Sequence, residues 1–315
     1  MSTQTSPIGA HVPVAGGLGT GGLKYAAEIG AEAVQVFVSN PRGWALTAGK
    51  PAEDALLRAS ELPVYVHASY LVNFGSPNAD TLEKSLESVA HALERGTAIG
   101  ARGVVVHTGS AVSQPVEAAM AQIRARVLPL LEALPEDAPS LLLEPMAGQG
   151  AMLCATVDQL GPYFAALDHH PKLGVCLDTC HAFAAGHDLT ADQGVKLTLD
   201  ALVATVGEGR LRLVHANDSK DVCGSRKDRH ENIGRGHIGE RPFAELMAHP
   251  AAAGVPLIIE TPGRSAEPHK TDIDTLKRLR AANAEKAKDA EDEAFEGEES
   301  EKAGDEDREA RSSGD

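Results

Sequence analysis

The sequence predicts an α/β protein whose strands close into a single parallel barrel. Short apolar runs recur eight times with helical patterns between them, and the alternation fits within roughly 280 residues. The turn after the first run, Gly16-Gly17-Leu18-Gly19, lacks both the glycine spacing and the acidic partner of an open dinucleotide-binding sheet. Eight β/α units of this length match a (β/α)8 TIM barrel better than an open doubly wound sheet. No repeat of fixed period accompanies the alternation.

Taken in order, the first run is Ile8–His11, and a helix begun near Gly21 closes at Gly30. Ala33–Val38 is the second run and Leu62–His67 the third. A long helix follows over Ala79–Ile99, with Leu82, Leu86, Val89 and Leu93 on one face. Gly103–His107 is the fourth run. The helix behind it carries Val116, Met120, Ile123, Val127 and Leu131, and Pro129 should kink it or end it early. Leu141–Glu144, Leu173–Asp178, Leu211–Ala216 and Pro256–Glu260 complete the eight. Helical patterns lie between them near Val157–Leu167, Gln193–Val206 and Pro242–Ala248, the last with proline at a helix start. A final helix runs from about Asp272 to Ala284.

Of 315 residues, 43% are hydrophobic and 3% aromatic, so a sizeable core is available but a surface of stacked rings is not. Cys154, Cys176, Cys180 and Cys223 show no paired Cys-x-x-Cys spacing, which argues against a disulfide framework or a zinc ribbon. The N-terminus lacks a basic region followed by an apolar run, and no apolar stretch reaches membrane-spanning length, so a cytoplasmic protein is expected. The net charge of −16 speaks against nucleic acid until its distribution is seen. Ala281–Asp315 holds 14 acids and 5 bases, a net of −9, leaving 31 acids against 24 bases in the body. The expected organisation is a barrel domain over residues 1–284 and an acidic, low-complexity tail over 285–315, disordered beyond about Ala290.

The chemistry lies at the ends of the runs. The third ends on His67, the fourth on His107, the fifth on Glu144, the sixth on Asp178 and the eighth on Glu260, while the seventh carries His215 next to its end. In a barrel these positions share one rim, where barrel enzymes work. His181 follows Asp178 closely, and Asp228 and His230 stand two apart in the long polar loop after His215, a spacing that points both side chains to one side of an extended segment. These nine, five histidines and four carboxylates, are nitrogen and oxygen donors suited to Zn²⁺, Mn²⁺ or Fe²⁺. They are too many for one metal with an open position and suit about three, whose charge of about +6 would exceed the −4 of the carboxylates and attract an anion. Clustered metals recur in phosphoester hydrolysis, which points to a phosphodiester. Of the other histidines, His91 reads as surface, His187 and His237 read equally as support or surface, and His11 as orienting a ligand.

Three segments carry a resemblance: HASYLVNFGSP from His67, GVCLDTCHAFAAG from Gly174, and HANDSKDVCGSRKDRHENIGRGHIG from His215. Over about residues 8–280 the chain resembles the endonuclease IV family of apurinic/apyrimidinic endonucleases. The resemblance implies three zinc ions per chain. His67 and His107 would bind one with Glu144, which bridges to a second completed by Asp178, His215 and Glu260; His181, Asp228 and His230 would hold the third. It implies hydrolysis of the phosphodiester 5′ to an abasic site in duplex DNA, leaving a 3′-hydroxyl and a 5′-deoxyribose phosphate, and removal of blocked 3′ ends. Glu144 and Glu260 would be the catalytic carboxylates, Glu260 orienting the nucleophile or accepting its proton. Arg42, Tyr70 and Leu71 match positions that the family wedges into the DNA stack. Lys220, Arg226, Arg229 and Arg235 are candidates for phosphate contacts, with solvated charge as the competing reading. The chain departs from the family's usual pattern at His107-Thr108-Gly109, at Glu144-Pro145-Met146 and at Gly43, none of them a loss of a ligand. The rival reading is a single-metal sugar isomerase or epimerase built on Glu144, Asp178, His215 and Glu260, which leaves the other five donors without a role.

Overall fold

A computed structural model describes residues 5–312, with side chains through Asp289; the expected disorder of the acidic tail concerns residues beyond that limit. In chain order the elements begin with β1 (Ile8–His11), α1 (Leu18–Ile29), β2 (Val34–Val36), α2 (Pro51–Arg58), β3 (Val64–His67) and α3 (Ala79–Ile99). They continue with β4 (Gly103–His107), α4 (Val116–Glu132), β5 (Ser140–Glu144), α5 (Leu160–Ala166), β6 (Leu173–Asp178), α6 (Thr179–Ala185) and α7 (Gly194–Val206). The last are β7 (Leu211–His215), β8 (Asp218–Ser219), β9 (His230–Glu231), α8 (Glu240–Ala248), β10 (Leu257–Ile259) and α9 (Ala266–Ser312). Eight strands, all paired in parallel, close as β1-β10-β7-β6-β5-β4-β3-β2, so the chain is a TIM barrel. β8 and β9 form a separate antiparallel ribbon at the mouth.

All eight expected runs form barrel strands, the second shortened to Val34–Val36. Two helices escape the periodicity. α2 is one short amphipathic stretch behind Pro51, burying only Asp54 and Leu57. α6 starts without a loop, because Asp178 caps it by accepting a hydrogen bond from the His181 N–H at 2.8 Å. The expectation that Pro129 ends α4 early is incorrect: the helix runs on to Glu132. The proline falls in its last turn, where burial of Leu128 and Leu131 holds the segment against the missing bond.

The barrel interior explains where the chemistry must sit. Ala33, Tyr65, Val105, Leu142, Cys176, Leu213 and Ile258 pack as one apolar layer. Two residues on from each, and therefore on the same inward face, come Gln35, His67, His107, Glu144, Asp178, His215 and Glu260. On β1 the inward position below His11 is Gly9, where an added Cβ would lie 1.9 Å from the Ala33 carbonyl oxygen, so only glycine fits. One layer of the plug is thus apolar and the next, at the C-terminal rim, is ionisable.

The polar loop after β7 is fastened by Asp218, which is fully buried. Its Oδ1 accepts from the backbone N–H groups of Ser219 (2.7 Å) and Ile238 (2.8 Å). Its Oδ2 accepts from Gly234 and Gly236 (both 3.0 Å) and Gly239 (3.2 Å). A Cβ on Gly236 would lie 2.4 Å from Asp218 Oδ1, so the clasp requires glycine there. Replacing Asp218 with Ala would strand these buried donors; we expect a loss of about 3 kcal/mol in unfolding free energy, measured by urea denaturation of the metal-free protein.

Candidate metal centre at the barrel mouth

Glu144, at the end of β5, is fully buried, and its Oε2 accepts no hydrogen bond. That oxygen lies 3.4 Å from His67 Nε2 and 3.5 Å from His107 Nε2. His67 Nδ1 is 2.7 Å from the Ala68 carbonyl, which can only accept, so Nδ1 carries a proton. Its Nε2 is then the nitrogen turned to a carboxylate oxygen, a contact that needs a proton or a metal cation between them.

The same arrangement recurs twice. His181 Nδ1 is 3.1 Å from the Pro145 carbonyl and His230 Nδ1 is 3.2 Å from the Glu260 carbonyl. Their Nε2 atoms are buried and lack any partner in hydrogen-bond geometry. Both converge on Asp228, at 3.2 Å from Oδ2 and from Oδ1 respectively. His230 Nε2 is also 3.5 Å from Asp178 Oδ2. In the centre, His215 Nδ1 faces Glu144 Oε1 at 3.1 Å, Glu260 Oε2 at 3.4 Å and Asp178 Oδ2 at 4.0 Å. Backbone carbonyls that fix ring orientation behind a free nitrogen are how proteins present imidazole to a metal.

All nine strand-end and loop ligands expected from the sequence fall into groups of three whose donor atoms lie within 4.8 Å of one another. Glu144 and Asp178 each belong to two groups. Two of the groups include a thiol, Cys176 with Glu144 and His215, and Cys180 with Asp228 and His230. Burial pushes both thiols up to about 12, so without metal they stay protonated. The three orphaned buried atoms and this donor set fit metal ions.

The electrostatics agree. Burial alone pushes a histidine down, and it lowers His107 to about 4. His181 goes the other way: burial opposes it, but Asp178, Asp228 and Glu144 outweigh burial and hold it well above the usual range. Glu260 and Glu144 do the same for His215, and Asp178, Asp228 and Glu260 raise His230 to about 9. In return, against their own burial, Glu144, Asp228 and Glu260 are held well below the usual carboxylate range by the surrounding histidines. Without metal, protons on imidazole balance the carboxylates.

The residues expected to meet DNA lie around this mouth. Tyr70 and Leu71 are 44% and 37% exposed. The Tyr70 ring stacks on His107 at 5.7 Å and meets His67 edge-on at 5.2 Å. Burial, with Glu260 and Glu144 nearby, pushes its hydroxyl up to about 12, so it remains a neutral donor. The Pro41 carbonyl accepts from Tyr70 N–H and Ser69 Oγ, which draws the loop of exposed Arg42 to the same edge. Lys220, Arg226 and Arg235 are exposed. Arg229 is also exposed but is clamped by Asp221, with Nε to Oδ2 at 2.6 Å, and offers less free charge.

Sequence reasoning missed the polar residues behind the donors. Gln35 is fully buried between His215 and Glu260. Asn217 donates to Asp178 Oδ2 at 2.7 Å and accepts from the Glu260 N–H at 2.7 Å. A signal existed for Gln35, the one amide in the apolar run Ala33–Val38 and at an inward-facing position. Asn217 stands beyond its strand and gave no periodic signal. His11 lies where expected, 3.3 Å from Glu260 Oε1.

A parallel barrel with an imidazole–carboxylate cluster at its C-terminal mouth defines a class, and the family model described as a xylose isomerase-like TIM barrel matches residues 23–282. A protein of Streptomyces coelicolor named "Probable endonuclease 4" is 62% identical over 287 residues, covering 89% of this chain and 97% of that one. A protein of the same name from Streptomyces avermitilis is 63% identical over 281 residues, covering 87% and 90%. The crystal structure of endonuclease IV from Thermus thermophilus superposes with a TM-score of 0.76 at 36% identity, covering 87% of this chain and 98% of that one. A D-tagatose 3-epimerase-like protein shares the fold, at 18% identity and a TM-score of 0.68. The chain belongs to the endonuclease IV family and is a hydrolase of the nuclease class. Among the described residues, no helix is long and apolar enough to cross a membrane.

Cations entering this site must displace the protons on His181, His215 and His230. Titration of zinc into metal-free protein at pH 7 should therefore release protons, seen in calorimetry as a heat that varies with the ionisation enthalpy of the buffer. Affinity should weaken steadily as pH falls below about 9, because the raised histidines are protonated there and each proton must be displaced by the incoming cation.

Proposed function

We propose that this chain is a zinc-dependent DNA-repair endonuclease. It hydrolyses the phosphodiester 5′ to abasic sites in duplex DNA, leaving 3′-hydroxyl and 5′-deoxyribose-phosphate ends, and clears blocked 3′ ends by the same chemistry. The observation that carries the reading is the convergence of all nine donors on one mouth, with Glu144 and Asp178 shared between groups. His67, His107 and Glu144 would hold one zinc; Glu144, Asp178, His215 and Glu260 a second; His181, Asp228 and His230 a third. When bound, the ions supply Lewis-acid chemistry, drawing charge from the scissile phosphate and making water a better nucleophile.

The chain's own residues do the rest. Glu260 Oε1 is held by Gln35 Nε2 at 2.7 Å, leaving Oε2 directed into the site. As an ionised carboxylate, Glu260 would orient the attacking water or accept its proton as the new oxygen–phosphorus bond forms. The bond from phosphorus to the 3′-oxygen breaks, and that oxygen takes up a proton to become the hydroxyl. Tyr70, Leu71 and Arg42 flank the mouth and fill the gap left by the missing base; a nucleotide without a base is cheap to extrude. Lys220, Arg226 and Arg235 are free to meet backbone phosphates. Residues 1–284 carry the activity, and the four free cysteines suit a cytoplasmic enzyme.

Elemental analysis should give about three zinc per chain, beside nicking of a defined abasic duplex that survives EDTA better than a magnesium-dependent nuclease does. One metal per chain, sugar turnover and no nicking would instead favour the isomerase that Glu144, Asp178, His215 and Glu260 could build alone. Glu260→Gln should bind the abasic duplex normally yet lose about 10²–10⁴-fold in kcat; unchanged turnover would remove Glu260 from the mechanism.

A further inference from the structure

Among the described residues, Gln35 is the one whose side chain bonds to those of both the central histidine and the proposed base. Its Nε2 donates to Glu260 Oε1 at 2.7 Å, and its Oε1 lies 2.9 Å from His215 Nε2. The orientation of the amide is forced. An ionised carboxylate accepts only, so the NH₂ end must face Glu260. The carbonyl end then faces His215, and a carbonyl also accepts only, so His215 Nε2 must carry a hydrogen. With Nε2 committed, Nδ1 is the nitrogen offered to Glu144, Glu260 and Asp178. The other NH₂ hydrogen is available to His11 Nδ1 at 3.0 Å, so this ring too is presented with Nδ1 as acceptor. Gln35 is fully buried on β2, seated above Ala33 in the apolar layer.

From this we infer that Gln35 is a positioning residue with two linked tasks: it selects the nitrogen by which His215 meets the metal, and it aims the Glu260 carboxylate. The inference rests on the metal reading given above. Because one amide serves both, loosening it weakens metal retention at His215 and disorders the proton acceptor together. Glutamine meets the need where neighbouring residue types do not. Methionine of similar length has no donor and only a weak thioether acceptor, and asparagine is too short by one methylene to span both partners.

The first measurement needs no variant. In zinc-loaded wild-type protein with ¹⁵N-labelled histidine, long-range ¹H–¹⁵N correlation of the His215 ring should show a protonated Nε2 and an unprotonated Nδ1 shifted by metal. The second uses Gln35→Met, with circular dichroism checking that the barrel is intact. Its His215 Nε2–H signal should move or exchange away, its zinc dissociation constant should rise by ~10–100-fold, and kcat should fall by about 10-fold or more with KM for abasic duplex little changed. Wild-type protein that takes up no metal would overturn the metal reading and this inference with it. Metal bound through Nε2, or a folded Gln35→Met whose zinc affinity and kcat match wild type, would overturn the inference alone.

Discussion

The constraint on which this structure depends is the burial of carboxylate charge above an apolar plug. Glu144 and Asp178 are essentially removed from water, and Glu260 and Asp228 sit at the same mouth. A buried carboxylate without a counter-charge costs several kcal/mol, and several of them together would drive the barrel mouth apart. The fold answers with five imidazoles, three of them turned by backbone carbonyls so that a bare nitrogen faces inward. That solution is neutralising only when a proton or a cation joins it. The electrostatics that look like a liability for stability are what suit the mouth to positive ions and, on the function proposed above, through them to a phosphate.

Strand alternation makes the arrangement possible. Because successive inward positions are two residues apart, a layer of Tyr65, Val105, Leu142, Cys176, Leu213 and Ile258 necessarily sets the next inward residue at the rim. The lower layer excludes water and supplies rigidity; the upper one is ionisable. Outward-facing residues between them, such as Val66, Val106, Leu143 and Leu177, are buried against the helical shell, so neither layer can rotate away.

This is also why so much was legible in the sequence. Ionisable residues at the ends of six apolar runs are a pattern that the period of a strand converts directly into a shared rim, and the eight-fold alternation fixes the barrel. What escaped has equally physical reasons. α2 is too short for its periodicity to stand out, and α6 begins on a metal-ligand candidate, so its first turn looked like loop. Pro129 does not break α4 because it falls in the last turn, a position set by where the helix ends and not by the proline itself. Gln35 was readable in principle, as a lone amide among apolar residues, whereas Asn217 and Asp218 act through contacts far away in sequence. The pairing of Arg229 with Asp221 is likewise invisible until the loop is folded.

The Asp218 clasp carries a consequence for divergence. It gathers Ser219 at one end of the mouth loop and Gly234 to Gly239 at the other. The intervening tip is tied to α6, where the Phe183 and Ala184 carbonyls accept from the Gly224 and Arg226 N–H groups, while the side chains of Lys220, Val222 and Lys227 stand open to solvent. Substitutions at those three exposed positions leave the backbone ties and His230 in place. The barrel thus owns an exchangeable fingertip, through which descendants can alter what they grip without disturbing how they cut.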